Sequence, residues 1–336
     1  MKFSKSYFTI DTHTAGHPER VITGGLPSIP GETMTEKRNY IREKLDYVRN
    51  ILTHEPRGHS SMHCSYITEP INPEADMGVI FMGATHYGDM CGHGTIATVT
   101  ALIETGIIDG KEGDNEVNLD IPGVGLVRTI AKVKNGKVKN VTLRNAPSFL
   151  YEEDVRIEVP SIGIIKGDVA YGGNWYFYLQ AKELGVKVRP EEISSLLMKG
   201  TQAKEAADDQ IRVEHPAKSE ITCKFLGVII IDSSSRSGVD QRNILIIGPR
   251  HFDRSPCGTG TCGRLAILYS KGKLKRGEKF VNESILGTTF TGSIVDEVSV
   301  GRYAGIVPEI TGSAYITGFH QFVVDPEDPL REGFYL

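Results

Sequence analysis

Apolar positions recur along this chain in two rhythms. Residues 3–11, 62–68, 77–82, 125–133 and 138–144 carry the alternation or short apolar runs of strands, and Asn135-Gly136 between the last two is a hairpin signal. Met34, Ile41, Leu45, Val48 and Leu52 mark one face of a single helix over residues 34–53, opened by the capping-box pair Thr33 and Glu36. Residues 12–18, which include His13 and His17, read as a loop. In the second half a polar helix is expected over residues 190–210, with Pro190 in its first turn. Residues 225–231 and 243–247 are β-branched apolar runs of the kind found in strands buried on both faces, separated by the polar loop 232–241. Short strands rich in Gly and Thr are expected after Gly272, and the run 321–324 is expected to return to the first half.

Against this pattern one motif occurs twice. Asp89-Met90-Cys91-Gly92-His93-Gly94-Thr95 precedes an apolar helical spacing (Ile96, Val99, Leu102, Ile103) closed by Gly106. Asp253-Arg254-Ser255-Pro256-Cys257-Gly258-Thr259-Gly260-Thr261 precedes another (Leu265, Ala266, Leu268, Tyr269) closed by Gly272. Both copies read Cys-Gly-x-Gly-Thr, with helices expected over residues 96–105 and 262–271. A helix start offers backbone N–H groups and the positive end of the macrodipole, and glycines let a small anion approach them. The same field favours a thiolate, so both cysteines are expected to ionise more readily than a free one.

Length and charge narrow the chemistry. The 336 residues suggest two domains, 1–145 joined by 321–336, and 146–320, with one motif in each. The small net charge of −4 has no block of like charges behind it, which points away from nucleic acid and anionic membranes and towards a small-molecule partner. Five cysteines (Cys64, Cys91, Cys223, Cys257 and Cys262) are odd in number and lack metal-site spacing, so neither a disulfide framework nor a metal centre is expected. No signal peptide or apolar span is visible, and a reducing, cytoplasmic setting is inferred. Cys64, Cys223 and Cys262 are read as packing. Gly172-Gly173 beside Trp175, the only tryptophan, reads either as a tight turn or as backbone close to a ligand.

A thiol pair admits three chemistries. Disulfide exchange normally uses Cys-x-x-Cys, which is absent. A cysteine hydrolase would take one cysteine and a histidine base and leave the duplication unexplained. Proton transfer at carbon needs two acid–base groups on opposite faces of a stereocentre and no cofactor. A near-symmetric pair of thiols suits that third reaction, with helix N-termini stabilising the charge that develops on the substrate carboxylate.

The two cysteine motifs, together with Asp11-Thr12-His13-Thr14-Ala15-Gly16, Glu55-Pro56-Arg57-Gly58-His59 and Tyr171-Gly172-Gly173-Asn174, resemble the proline racemase family, which includes 4-hydroxyproline 2-epimerases. The resemblance covers essentially the whole chain. It implies a diaminopimelate-epimerase-like α/β (α+β) fold of two pseudo-symmetric domains, each a sheet wrapped around a central helix, with the active site in the cleft between them. It implies a cofactor-independent two-base mechanism with Cys91 and Cys257 as the pair. The N–H groups of Gly92, His93, Gly258 and Thr259 would hold the carboxylate, while His93 and Asp253 contact the ring nitrogen. Members with threonine at the second cysteine look like trans-3-hydroxyproline dehydratases, and this chain keeps Cys257. Proline racemases resemble one another in a phenylalanine where this chain has His63, and in another apolar residue where it has Ile247. His63 therefore favours a ring hydroxyl, hence 4-hydroxyproline, with proline as the alternative. The family commonly forms homodimers.

Overall fold

A computed structural model describes residues 3–216, 221–222 and 224–336; Cys223 lies outside them. The chain is a mixed α/β fold that divides into two compact units, Met1–Leu143 with Gly312–Leu336, and Arg144–Thr311.

The first unit begins with β1 (Lys5–Thr14) and β2 (His17–Gly24), an antiparallel hairpin that turns at Ala15-Gly16. The expected loop at 12–18 is therefore mostly strand. Both turn residues adopt positive φ, which lets a tight turn carry the strand ladder through to Thr14↔His17. Helices α1 (Met34–Lys44) and α2 (Asp46–Thr53) follow, and then β3 (His63–Thr68), β4 (Met77–Gly83) and β5 (Tyr87–Gly88). Thr33 caps α1 by accepting the Glu36 N–H at 3.1 Å. The single helix expected over 34–53 is broken at Leu45, yet its predicted face stays buried because Met34, Ile41, Leu45, Val48 and Leu52 all pack inward. Helix α3 (Gly92–Glu104) leads into β6 (Gly113–Ile121), β7 (Gly125–Lys134) and β8 (Lys137–Arg144). The strand Ala314–Val324 pairs antiparallel along β1.

Pairings run antiparallel for β1–β2, parallel for β2–β3, antiparallel for β3–β4 and β4–β5, parallel for β4–β6, and antiparallel for β6–β7–β8. Alternate side chains then serve opposite layers. Tyr7, Ile22, Cys64, Tyr66, Ile80 and Met82 pack with α1 and α2, whereas Ile10 and Val21 meet Ala101 of α3.

The second unit repeats this succession. β9 (Ser148–Val159), β10 (Gly163–Tyr171) and β11 (Trp175–Gln180) precede α4 (Ile193–Gln210) and the short β12 (Val213–Glu214) and β13 (Ile221–Thr222). Next come β14 (Gly227–Asp232), β15 (Gln241–Gly248), β16 (His251–Asp253) and α5 (Gly258–Ser270). The chain continues through β17 (Lys279–Glu283), β18 (Thr289–Val300) and β19 (Tyr303–Gly312) to β20, the Ala314–Val324 strand. The strands after Gly272 are longer than expected because the hairpins β17–β18 and β18–β19 run in register over most of their length.

Here β11–β14 and β15–β17 are parallel, like β2–β3 and β4–β6, and the neighbouring pairs are antiparallel. Gly305↔Phe149 joins β19 to β9 and closes eight strands into a barrel. Tyr176, Tyr178, Ile229 and Ile231 face α5, while Trp175, Phe177, Val228 and Ile230 face α4. Both faces are covered, which accounts for the continuous apolar runs. No helix among the described residues is long and apolar enough to cross a membrane.

Candidate active site

In both units the glycine motif is itself the first helical turn, four residues ahead of where the apolar spacing placed it. Glycine is a poor helix former in a helix interior, but the first-turn N–H groups have no intrahelical acceptor in any case. Cys91 is the N-cap of α3 and accepts the Gly94 N–H at 3.3 Å; Cys257 is the N-cap of α5 and accepts the Gly260 N–H at 3.2 Å. Gly92, His93, Gly258 and Thr259 occupy the first positions of the two helices. These glycines are required sterically: a Cβ on Gly94 would sit 3.0 Å from the Cys91 sulfur, and one on Gly260 would sit 2.8 Å from that of Cys257.

The surroundings of Cys91 are assembled from distant segments. Parallel pairing of β2 with β3 sets Glu19 directly beside His63, and α3 brings Cys91 and His93 to the same place. The Cys91 sulfur lies 3.4 Å from His93 Nδ1 and 4.0 Å from His63 Nδ1. Glu19 Oε2 lies 3.2 Å from both His63 Nδ1 and His93 Nε2, while its Oε1 accepts the Ser65 hydroxyl at 2.6 Å. Thr98 donates in turn to Ser65 at 2.8 Å, and Thr14 donates to the His93 carbonyl at 2.9 Å.

These charges set one another. Burial alone would raise Cys91, but the imidazoles of His93 and His63 outweigh it and bring the thiol down to about 7. Burial opposes a proton on His63, yet Cys91 and Glu19 carry it up to about 9. Burial likewise works against the Glu19 carboxylate, and His63 and His93 hold it down at about 2. Near neutral pH the Cys91 thiol is thus poised to ionise beside a protonated His63. Nearby His86 is kept neutral, its pKa lowered to about 3 by burial and then by His63.

Cys257 departs from the expectation that both thiols would be acidified. Burial pushes it up and the Asp253 carboxylate adds to the rise, more than the Gly260 N–H and the hydroxyls of Tyr176 and Thr259 can offset. Those hydroxyls lie 3.9 and 4.0 Å from its sulfur and 2.6 Å from each other. Asp253 accepts the Ser255 N–H at 2.8 Å and Ser255 Oγ accepts the Cys257 N–H at 3.1 Å, so the predicted Asp253 braces the turn that carries the thiol. Cys257 itself has φ 63° and ψ 108°, a strained conformation for a residue with a Cβ. Asn243 and Asn282 hold the Pro256 carbonyl before it, at 3.0 and 3.2 Å. Ile247 packs at the edge of the apolar cluster that contains Cys257.

Of the cysteines read as packing, Cys64 and Cys262 are buried, and burial raises both. Gly172 and Gly173 form the tight turn between β10 and β11, which pair through to Tyr171↔Trp175 with Gly173 at φ 104°, and a Cβ on Gly172 would meet the Thr259 carbonyl at 2.2 Å. Sequence reasoning missed Glu19, Tyr176 and Ser65. Glu19 lacks a local signal because the register of β2 on β3 creates its contact. Tyr176 sits in the run Trp175-Tyr176-Phe177-Tyr178, where every residue reads as core.

Comparison with known proteins identifies the family of the chain. The family model described as proline racemase matches residues 9–335. Proline racemase of Acetoanaerobium sticklandii is 48% identical over 335 residues, covering 99% of each chain. A trans-3-hydroxy-L-proline dehydratase of Bacillus cereus is 43% identical over 336 residues, covering 100% of each. The crystal structure of a hydroxyproline epimerase from Agrobacterium vitis, with bound trans-4-hydroxy-L-proline, matches with a TM-score of 0.91 at 31% identity, covering 100% of this chain and 96% of that one. With its cysteine motifs at both helix starts and a match from residue 9 to residue 335, the chain belongs to the proline racemase family.

Proposed function

We propose that the protein is a cofactor-independent epimerase that inverts Cα of 4-hydroxyproline, taking trans-4-hydroxy-L-proline to cis-4-hydroxy-D-proline, with Cys91 and Cys257 as paired acid–base groups. The observation that carries this reading is the repetition of one device. A buried cysteine caps a glycine-rich helix start in each of two units whose strand pairings follow the same order. We take those units as the two pseudo-symmetric domains of a diaminopimelate-epimerase-like fold.

The acidity of the two thiols supports a division of labour. The Cys91 thiolate removes the Cα proton, the electron pair moves into the carboxylate, and the Cys257 S–H delivers a proton to the opposite face. Cys91 is left as thiol and Cys257 as thiolate, and the reverse turnover restores the starting state. The helix-start N–H groups of Gly92, His93, Gly258 and Thr259 are assigned to the carboxylate, where donors strengthen as charge develops. His93 and Asp253 are assigned to the ring nitrogen.

His63 supports the hydroxylated substrate, because a buried imidazole beside Cys91 offers a polar edge that the proline ring leaves unused. The relative named proline racemase at 48% identity favours proline as a second reading. Dehydration is disfavoured by the thiol at position 257.

Purified, reduced protein without cofactor is to be incubated separately with trans-4-hydroxy-L-proline, L-proline and trans-3-hydroxy-L-proline and followed by chiral chromatography. Inversion of the 4-hydroxy compound is expected. Inversion of proline alone would move the assignment to proline racemase, and loss of water from the 3-hydroxy compound without inversion would overturn the two-base reading.

A further inference from the structure

Spacing along the sequence contains no metal-ligand set, yet the fold assembles one within the first unit. Glu19, His63, Cys91 and His93 each present a ligand atom, and the four atoms lie within 4.8 Å of one another. All four residues are between 1% and 7% exposed. Zinc-type bond lengths in a tetrahedron give ligand-to-ligand edges of about 3.3 Å between nitrogen and oxygen and about 3.6 Å between sulfur and nitrogen. The observed edges are 3.2 Å from Glu19 Oε2 to each histidine, 3.6 Å from the Cys91 sulfur to His93 Nε2, and 4.0 Å to His63 Nδ1; the sulfur also lies 3.4 Å from His93 Nδ1, so the His93 ring has to turn about its side-chain bonds to aim Nε2 at a shared ion.

An independent feature points to a ligand in the same place. Glu19 Oε2 is fully buried and meets neither imidazole along a hydrogen-bonding direction, although it is within ion-pair distance of both. Its other oxygen is fixed by Ser65, which Thr98 holds in turn, so Oε2 is aimed by an outer layer of hydrogen bonds of the kind that orients metal ligands.

We infer that Glu19, His63, Cys91 and His93 form a binding site for a thiophilic divalent cation of the zinc(II) class. One thiolate and one carboxylate balance the charge of the ion, and two imidazoles complete four-coordination. Sulfur and imidazole select zinc(II) or cobalt(II) over magnesium and calcium, which prefer all-oxygen shells. Four protein ligands leave no open position, so the site is a stopper for the Cys91 sulfur and not a hydrolytic centre. Occupancy would silence inversion, a consequence that rests on Cys91 acting as one of the two acid–base groups; binding itself does not depend on that.

The test uses the whole chain, reduced and treated with chelator, and titrated with cobalt(II) in absorption spectroscopy. A thiolate-to-cobalt charge-transfer band with tetrahedral visible bands is expected, saturating at one ion per chain and displaced by zinc(II). Glu19→Gln and His63→Phe are expected to weaken binding by at least roughly tenfold, and Cys257→Ser to leave it unchanged. Because a ligand variant could fail to fold, zinc(II) protection of Cys91 from iodoacetamide is also read in the wild-type protein by peptide mass spectrometry. Absence of the charge-transfer band, or alkylation of Cys91 unaffected by zinc(II), would overturn the proposal whether or not the protein epimerises anything.

Discussion

Replacing His63 with phenylalanine removes one of the two imidazoles that keep Cys91 ionised. The fall of this thiol from an ordinary 9.0 to about 7 corresponds to roughly 3 kcal/mol in favour of the thiolate, net of a burial effect that works in the opposite direction. Burial without such partners raises Cys64 and Cys262, so the imidazoles supply more than that net figure. One imidazolium 4.0 Å from sulfur contributes up to about 4 kcal/mol at an intermediate effective dielectric. His63→Phe is therefore expected to move the thiolate midpoint of Cys91 up by roughly one to three pH units. The sign follows from the depressed value: in the wild type the reactive thiolate is present above about pH 7 and is lost as pH falls through that point. The assay is the rate of iodoacetamide alkylation from pH 5 to 10 with chelator present, assigned to Cys91 by peptide mass spectrometry. A midpoint that stays near 7 in the variant would refute the claim that His63 sustains the thiolate.

Other perturbations follow from the same geometry. Gly260→Ala places a Cβ 2.8 Å from the Cys257 sulfur and 2.4 Å from Ile229 Cδ1. Substrate inversion is expected to fall by roughly 10²-fold from the displaced sulfur, with a stability loss of about 1–3 kcal/mol from overpacking against the buried Ile229; unchanged turnover would count against an exacting position for this thiol. Arg20, buried, grips Asp11 through two nitrogens and donates to the Leu52 and Arg57 carbonyls at 2.6 and 2.9 Å. Arg20→Leu is expected to cost about 3–5 kcal/mol in denaturant unfolding, and Arg20→Lys to recover only part of it; a loss under about 1 kcal/mol would contradict the role given to this pair.

Local signals in the sequence were strong where one residue type dictates one conformation. Asn135 and Gly136 both adopt the positive φ that their hairpin requires, and Thr33 caps its helix as its spacing with Glu36 implies. The cysteine motifs were legible because they are repeated. What was not legible depends on register and on three-dimensional neighbours. Nothing in Lys44-Leu45-Asp46 announces that the helix breaks there, since no glycine or proline marks it and the buried face continues across the break. The partnership of Glu19 with His63 exists only once β2 lies parallel to β3. The opposite acidities of Cys91 and Cys257 could not be read from two near-identical motifs, because the difference comes from imidazoles in one case and a carboxylate in the other.

The central claim is that two thiols act on the two faces of Cα. The most direct test follows the first turnovers of trans-4-hydroxy-L-proline in D₂O, quenched early and resolved by chiral chromatography with mass spectrometry. Two bases require deuterium at Cα in the product while the recovered substrate keeps its protium. Product that retains the substrate's own proton, or recovered substrate deuterated as fast as product forms, would show a single base serving both faces and would contradict the account.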